Sequence, residues 1–170
     1  MKSVLISIQP KWCELIASGK KTVEVRKTRP KLETPFKVYI YETQGRTETP
    51  FVDEEGHHIF KGRGQVIGEF VCDTIYEFTK AFFDEQEPQD TEEIAFWLEQ
   101  FNLSYNDLLS YVGAKEFYGW HISDLVIYDK PRELSEFKVA AYRYGSTHLK
   151  PRSIIRPPQS WFYVESEGKK

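Results

Sequence analysis

The sequence predicts an α+β, sheet-dominated fold: a small β-barrel of about six strands with helices on its outside. Three observations carry this. Short stretches with strand patterning recur along the chain. Helical spacing is confined to an early segment and a later one. No strand–helix–strand rhythm and no internal repeat appears, which argues against a doubly wound sheet. At 170 residues the chain can bury a proper core. One domain is expected over residues 1–165, with a helical insert at about 79–117 and a polar tail at 166–170.

Residues 3–8 alternate Val4, Ile6 and Ile8 with Ser3, Leu5 and Ser7, a strand expected to be buried largely on one face. Pro10 suits the first position of a helix, where its missing N–H costs nothing. Trp12, Leu15 and Ile16 follow at helical spacing, and Gly19 serves as a C-terminal cap. Residues 22–26 alternate again. Thr22, Glu24 and Arg26 face one way, Val23 and Val25 the other. Glu24 and Arg26 are thus expected on one face, about 7 Å apart along the strand.

Residues 36–42 read as a third strand. Residues 43–64 read as a long hairpin with its tip near Asp53–Gly56. Residues 65–77 read as one long strand with a bulge at Gly68. Ile94, Trp97, Leu98 and Phe101 form a helical stripe. Ser104 to Asp107 resembles a capping box and opens a short helix that ends near Gly113. Residues 118–128 form a further strand, stopped by Pro131. Residues 150–158 form a basic loop, and 160–164 close the chain as a last strand.

Composition excludes some functions. The net charge is −3 and the pI about 5.9, against a general nucleic-acid coat. The charges are unevenly spread. Lys20, Lys21, Arg26, Lys27, Arg29 and Lys31 crowd residues 20–31 with Glu24 as the sole acid. Residues 84–99 carry Asp84, Glu85, Glu87, Asp90, Glu92, Glu93 and Glu99 with no base. Cys13 and Cys72 are lone thiols in no zinc or disulfide pattern, which points to a reducing, cytoplasmic setting. No apolar run has the length of a signal peptide or a membrane span. No cofactor and no metal site is expected. His57-His58 after Asp53-Glu54-Glu55 reads as a polar hairpin tip, and His121 as a satisfied strand histidine.

The segment Gly19-Lys20-Lys21-Thr22-Val23-Glu24-Val25-Arg26 reads G-x-K-x-x-E-x-R at the joint between helix and strand. Arg26 can hold a phosphate or carboxylate bidentately, with Lys21 as a point charge. Glu24 can accept from the exocyclic amine of a base. Trp12, Tyr41 or Trp120 could supply a stacking plane. Arg156 and Trp161, with Arg152, Gln159 and Ser160, form a second polar cluster before the last strand. The plainer reading of the motif is a Lys–Glu–Arg ion network that pins the strand.

The string ISIQPKWCELIASGKKTVEVRK, with WHISDLVIYDKPREL and PPQSWFYV, resembles the ASCH domain family of the PUA-like superfamily, in its bacterial and phage members. The resemblance covers most of residues 1–165, more weakly 79–117. It implies a PUA-like β-barrel flanked by helices, with the motif side chains in a cleft between them. It implies binding of RNA, a nucleotide or a modified nucleoside; no membrane partner is expected, since no apolar run is long enough. One branch of the family hydrolyses acetylated cytidine. It is similar to this chain at Lys21 and Arg26 but carries threonine, its proposed nucleophile, where Glu24 stands. The readings in view are an RNA- or nucleotide-binding module, an amidohydrolase of modified nucleosides with Lys21 and Glu24 as catalytic groups, and a protein–protein adaptor using the acidic segment.

Overall fold

The computed structural model describes residues 2–48, 59–83, 91–140, 143–144, 147–148 and 151–165. The Asp53–Gly56 tip, His57-His58, acidic residues 84–90 and the 166–170 tail lie outside the described residues. What is described is a sheet-rich α+β arrangement with two main sheets and three α-helices.

The larger sheet has five strands in the order β12-β1-β3-β6-β9. They are β1 (Lys2–Ile8), β3 (Phe36–Glu42), β6 (Val66–Cys72), β9 (Ser123–Arg132) and β12 (Trp161–Glu165). β1 runs parallel to β3; the other pairs are antiparallel. The smaller sheet has the order β2-β8-β7, from β2 (Val23–Arg26), β7 (Ile75–Phe78) and β8 (Phe117–His121). Two short ribbons complete the strands: β4 (Arg46–Glu48) with β5 (Ile59–Lys61), and β10 (Arg143–Tyr144) with β11 (Thr147–His148). The twelve strands among the described residues exceed the expected six. Among the described residues no ladder joins β12 to β9, so the five-stranded sheet is open there and they show no closed barrel.

Both faces of the large sheet are covered, which corrects the one-faced reading of β1. Val4, Ile6 and Ile8 pack on one side with Val38, Ile40, Cys13 and Ile16 of helix α1 (Pro10–Ala17). Leu5, Tyr39 and Tyr41 pack on the other with Leu134, Phe137 and Ile154. A strand buried on both faces needs apolar residues at successive positions, as Val4-Leu5-Ile6 supplies. The smaller sheet packs its Val23 and Val25 face on an aromatic cluster that includes Phe82, Phe101 and Phe117. Helices α2 (Thr91–Phe101) and α3 (Tyr105–Val112) contribute to that cluster.

Local signals explain several boundaries. Gly19 adopts φ +74° beyond α1, where its amide donates to the Ile16 carbonyl. The Ser104 side chain accepts from the Asp107 amide at 3.1 Å, and Gly113 closes α3 in the left-handed conformation. The register of β6 shifts around Gly68 on both of its neighbours, as a bulge requires. Three boundaries differ from expectation. The single strand expected at 118–128 breaks at Ile122 into β8 and β9, which join different sheets. The long strand at 65–77 breaks at Asp73-Thr74, and its second half joins the other sheet. Pro131 does not end β9, because β9 is an edge strand and a missing N–H there costs no ladder bond.

Candidate nucleotide-binding cavity

The motif strand β2 pairs with β8, bringing Glu24 opposite Trp120 and Arg26 opposite Tyr118. All four of its residues are buried. Val23 and Val25 enter the aromatic core, so Glu24 and Arg26 turn to the opposite side. There Glu24 Oε1 lies 2.8 Å from Nη2 of Arg26, and Glu24 Oε2 lies 3.6 Å from Nζ of Lys21. Lys21, Glu24 and Arg26 are 3%, 6% and 7% exposed, so this is not a solvated surface network.

Each cation is further fixed by backbone. Lys21 Nζ donates to the Phe101 carbonyl at 2.6 Å, at the C-terminal end of α2. Such terminal carbonyls lack intrahelical donors, and the helix dipole favours a cation there. The Thr22 amide takes the neighbouring Gln100 carbonyl, and the Thr22 hydroxyl donates to Gln100 Oε1 at 2.6 Å. Arg26 Nη2 donates to the Ser7 carbonyl at 2.7 Å, and Nη1 to Ser160 Oγ at 3.3 Å. Arg26 Nε is buried with no acceptor among the described residues. Burial lowers the pKa of Lys21 from its ordinary value, against the opposing pull of Glu24.

These three side chains line a cavity of about 770 Å³. The end of β1 contributes Ser7 and Ile8, and α1 contributes Lys11 and Trp12. α3 supplies Asp107, Ser110 and Tyr111, and the segment before β12 supplies Pro158, Gln159 and Ser160. The Lys21 ammonium lies 5.3 Å from the Trp12 ring centroid. Tyr111 is 41% exposed, and the Lys27 ammonium lies 5.0 Å from its ring centroid. One cavity thus holds two aromatic rings, cationic donors and the carboxylates of Glu24 and Asp107. Among the described residues no cluster of histidine, cysteine or acid side chains could hold a metal.

The ASCH domain family model matches residues 6–127, more than half of the chain. The chain belongs to the ASCH domain family. Its structure is similar to that of the ASCH protein of Zymomonas mobilis, with a TM-score of 0.54 at 18% identity, covering 96% of this chain and 87% of that one. A mutant form of the same protein aligns with a TM-score of 0.53 at 20% identity, covering 97% and 91%. A search of curated proteins finds no match. At this identity the structural likeness speaks for the ASCH fold alone.

Within this ASCH chain the cavity gathers Lys21, Glu24, Arg26 and Trp12 of the candidate residues. Four others stand elsewhere. Tyr41 belongs to the core on the opposite face of the large sheet. Trp120 is fully buried between Phe36 and Trp161, at ring distances of 6.0 and 5.8 Å. Trp161 packs on that core and donates its Nε1–H to Thr28 Oγ1 at 3.1 Å. Arg156 is exposed and off the wall, whereas its neighbours Gln159 and Ser160 are on it. His121 is also outside, with Nδ1 2.6 Å from Asp73 Oδ1. Cys13 is buried, which pushes its thiol pKa well up and suits packing rather than attack. Sequence reasoning missed Asp107 and Tyr111 as site residues. Their signal was a capped helix carrying both at one turn's spacing, with nothing local to say where that helix docks. No helix among the described residues is long and apolar enough to cross a membrane.

Proposed function

We propose that this chain binds RNA or a nucleotide through the cavity lined by Lys21, Glu24 and Arg26. The observation that carries this reading is a buried, charged trio lining a cavity of nucleotide dimensions that also holds the rings of Trp12 and Tyr111. Arg26 and Lys21 suit a phosphate or carbonyl oxygen, Glu24 an exocyclic amine, and Trp12 or Tyr111 a base plane. Residues 1–165 act as one unit in this reading, and the two unpaired thiols fit a cytoplasmic protein.

Calorimetric titration with mononucleotides and short RNAs tests it. The wild type is expected to bind at least one of them. Glu24→Gln, which keeps the shape of the site, is expected to weaken that binding about tenfold to a hundredfold. Unaltered affinity in Glu24→Gln would sink the reading.

The lowered Lys21 pKa supports a second reading, hydrolysis of an N-acylated nucleoside. A neutral Lys21 amine would take a proton from water as the hydroxide adds to the acyl carbon. The C–N bond then breaks, and the proton passes to the departing amine. Thr22 cannot replace the nucleophile of the hydrolytic branch, since its hydroxyl is donated to Gln100. Turnover of acetylated cytidine no greater than in a Lys21→Ala control would remove this reading. The adaptor reading rests on the acidic 84–99 segment, of which 84–90 lie outside the described residues.

A further inference from the structure

The chain leaving the motif strand enters a second cavity, of about 430 Å³. Its walls are Lys27, Lys80, Ala114, Lys115, Glu116 and Tyr118. Three lysines therefore face a single glutamate. They come from three separate places: the residue after β2, the start of the 3-10 turn at Lys80–Phe83, and the link between α3 and β8. No ion pair ties any of the three to a carboxylate among the described residues. Arg29, two residues on, does have such a partner in Glu77. Convergence of unpaired like charges costs free energy, and a polyanion would relieve it.

The second cavity adjoins the first. Tyr111 lines the first, and the Lys27 ammonium over its ring belongs to the second. Arg26 and Lys27 are consecutive, with Cα atoms about 3.8 Å apart. Tyr118, in the second wall, is the cross-strand partner of Arg26. A basic path thus runs from Lys21 and Arg26, past the exposed Tyr111 ring, to Lys27, Lys80 and Lys115.

We propose that the second cavity is a phosphodiester subsite for a single-stranded nucleic acid whose neighbouring nucleotide occupies the first cavity. This rests on the reading of the first cavity and deepens it, because it adds a second subsite and chooses a strand over a free nucleotide. Lysine ammonium groups act as unoriented point charges, which suits a backbone and reads no base edge. An exposed aromatic ring between charged grooves is how single strands are held, by stacking beside phosphate contacts. An acidic peptide would meet the three lysines equally well, but it would have no plane to lay on Tyr111.

Fluorescence-anisotropy titrations over a range of salt test the subsite. They compare a mononucleotide with a short single-stranded oligoribonucleotide, on the wild type and on Lys80→Ala/Lys115→Ala. Both lysines are exposed, so the variant is expected to fold normally. The oligomer should bind the wild type more tightly than the mononucleotide does. In the variant its affinity should fall, and the slope of log affinity against log salt should shrink by about 1.4 if each lysine neutralises its own phosphate and by about 0.7 if the two share one. Mononucleotide affinity should stay. Unchanged oligomer slope with intact mononucleotide binding overturns the subsite alone. Binding of neither ligand to the wild type overturns both the subsite and the nucleotide reading. Tight binding of an acidic peptide that the variant loses, with no binding of the oligomer, overturns the subsite in favour of a protein partner.

Discussion

Lys21 Nζ donates to the Phe101 carbonyl oxygen at 2.6 Å, joining residues 80 apart in the chain. This bond anchors the motif to the end of α2 and holds the ammonium out of water. Burial lowers its pKa from 10.5. The unfolded chain therefore binds that proton more tightly than the folded one. Stability is expected to climb as pH rises from the lowered value towards 10.5, then to level off as far as Lys21 is concerned. Lys21→Met should lose that climb in denaturant unfolding followed against pH. An identical climb in the variant would refute the assignment.

Arg26 is the partner that Glu24 depends on most, at 2.8 Å against 3.6 Å for Lys21. Arg26→Ala removes it and leaves a carboxylate buried beside one distant ammonium. The expected loss is about 3–5 kcal/mol of stability. A double Lys21→Ala/Arg26→Ala change is then a poor binding test, because it threatens the fold. Urea unfolding of Arg26→Ala checks the cost; a loss below about 1 kcal/mol would mean that the trio behaves as an exposed network.

The two thiols carry the opposite pH dependence. Burial raises the Cys72 pKa from 9.0 to about 12 and pushes Cys13 well up. A thiol whose folded pKa exceeds its unfolded value gives full stability below 9.0 and loses it as pH rises towards the folded value. Cys72→Ala should soften the alkaline loss between 9.0 and about 12, once compared with wild type at neutral pH. In the native wild type at neutral pH, a thiol-reactive disulfide dye should label neither cysteine until denaturant is added. Rapid labelling of Cys13 would contradict its burial.

Ser104 caps the helix that brings Asp107 and Tyr111 to the cavity. Ser104→Ala is expected to cost about 1 kcal/mol. Because the frayed turn carries Asp107 itself, ligand affinity should fall too, more than it does for a cap lost elsewhere. Amide exchange of Tyr105 to Leu108 should quicken in the variant.

Gly68 sits where β6 and β9 pass closely. A Cβ there would meet the Val126 carbonyl oxygen at 2.4 Å, a backbone atom that cannot swing aside. Gly68→Ala should therefore destabilise the chain by about 1–3 kcal/mol, read as a lower thermal midpoint. A neutral result would mean that the edge strand β9 yields freely.

Much of this was legible in local pattern. Proline at the start of α1, glycine beyond its end and the Ser104 cap fix helix limits by backbone chemistry alone. Alternation in β2 set Glu24 and Arg26 on one face. What pattern could not show was pairing. β1 and β2 are consecutive strands with only α1 between them, yet they enter different sheets, and β1 takes the parallel partner β3 instead. Alternation reads the same in either case. The same gap misplaced Tyr41, whose face of β3 is decided by what covers the far side of the sheet, and Pro131, whose tolerance depends on an edge position. Tyr111 was invisible as a site residue because a helix stripe does not announce its dock.

The assignment of β2 and β1 to separate sheets has a mechanical consequence. The cavity's opposite walls belong to two hydrogen-bonded slabs, tied near the site by Arg26 to Ser7 and to Ser160. An occupant touching both walls would act as a rivet. Its arrival should be felt as joint stiffening of β2 and the start of β12, two segments that share no ladder.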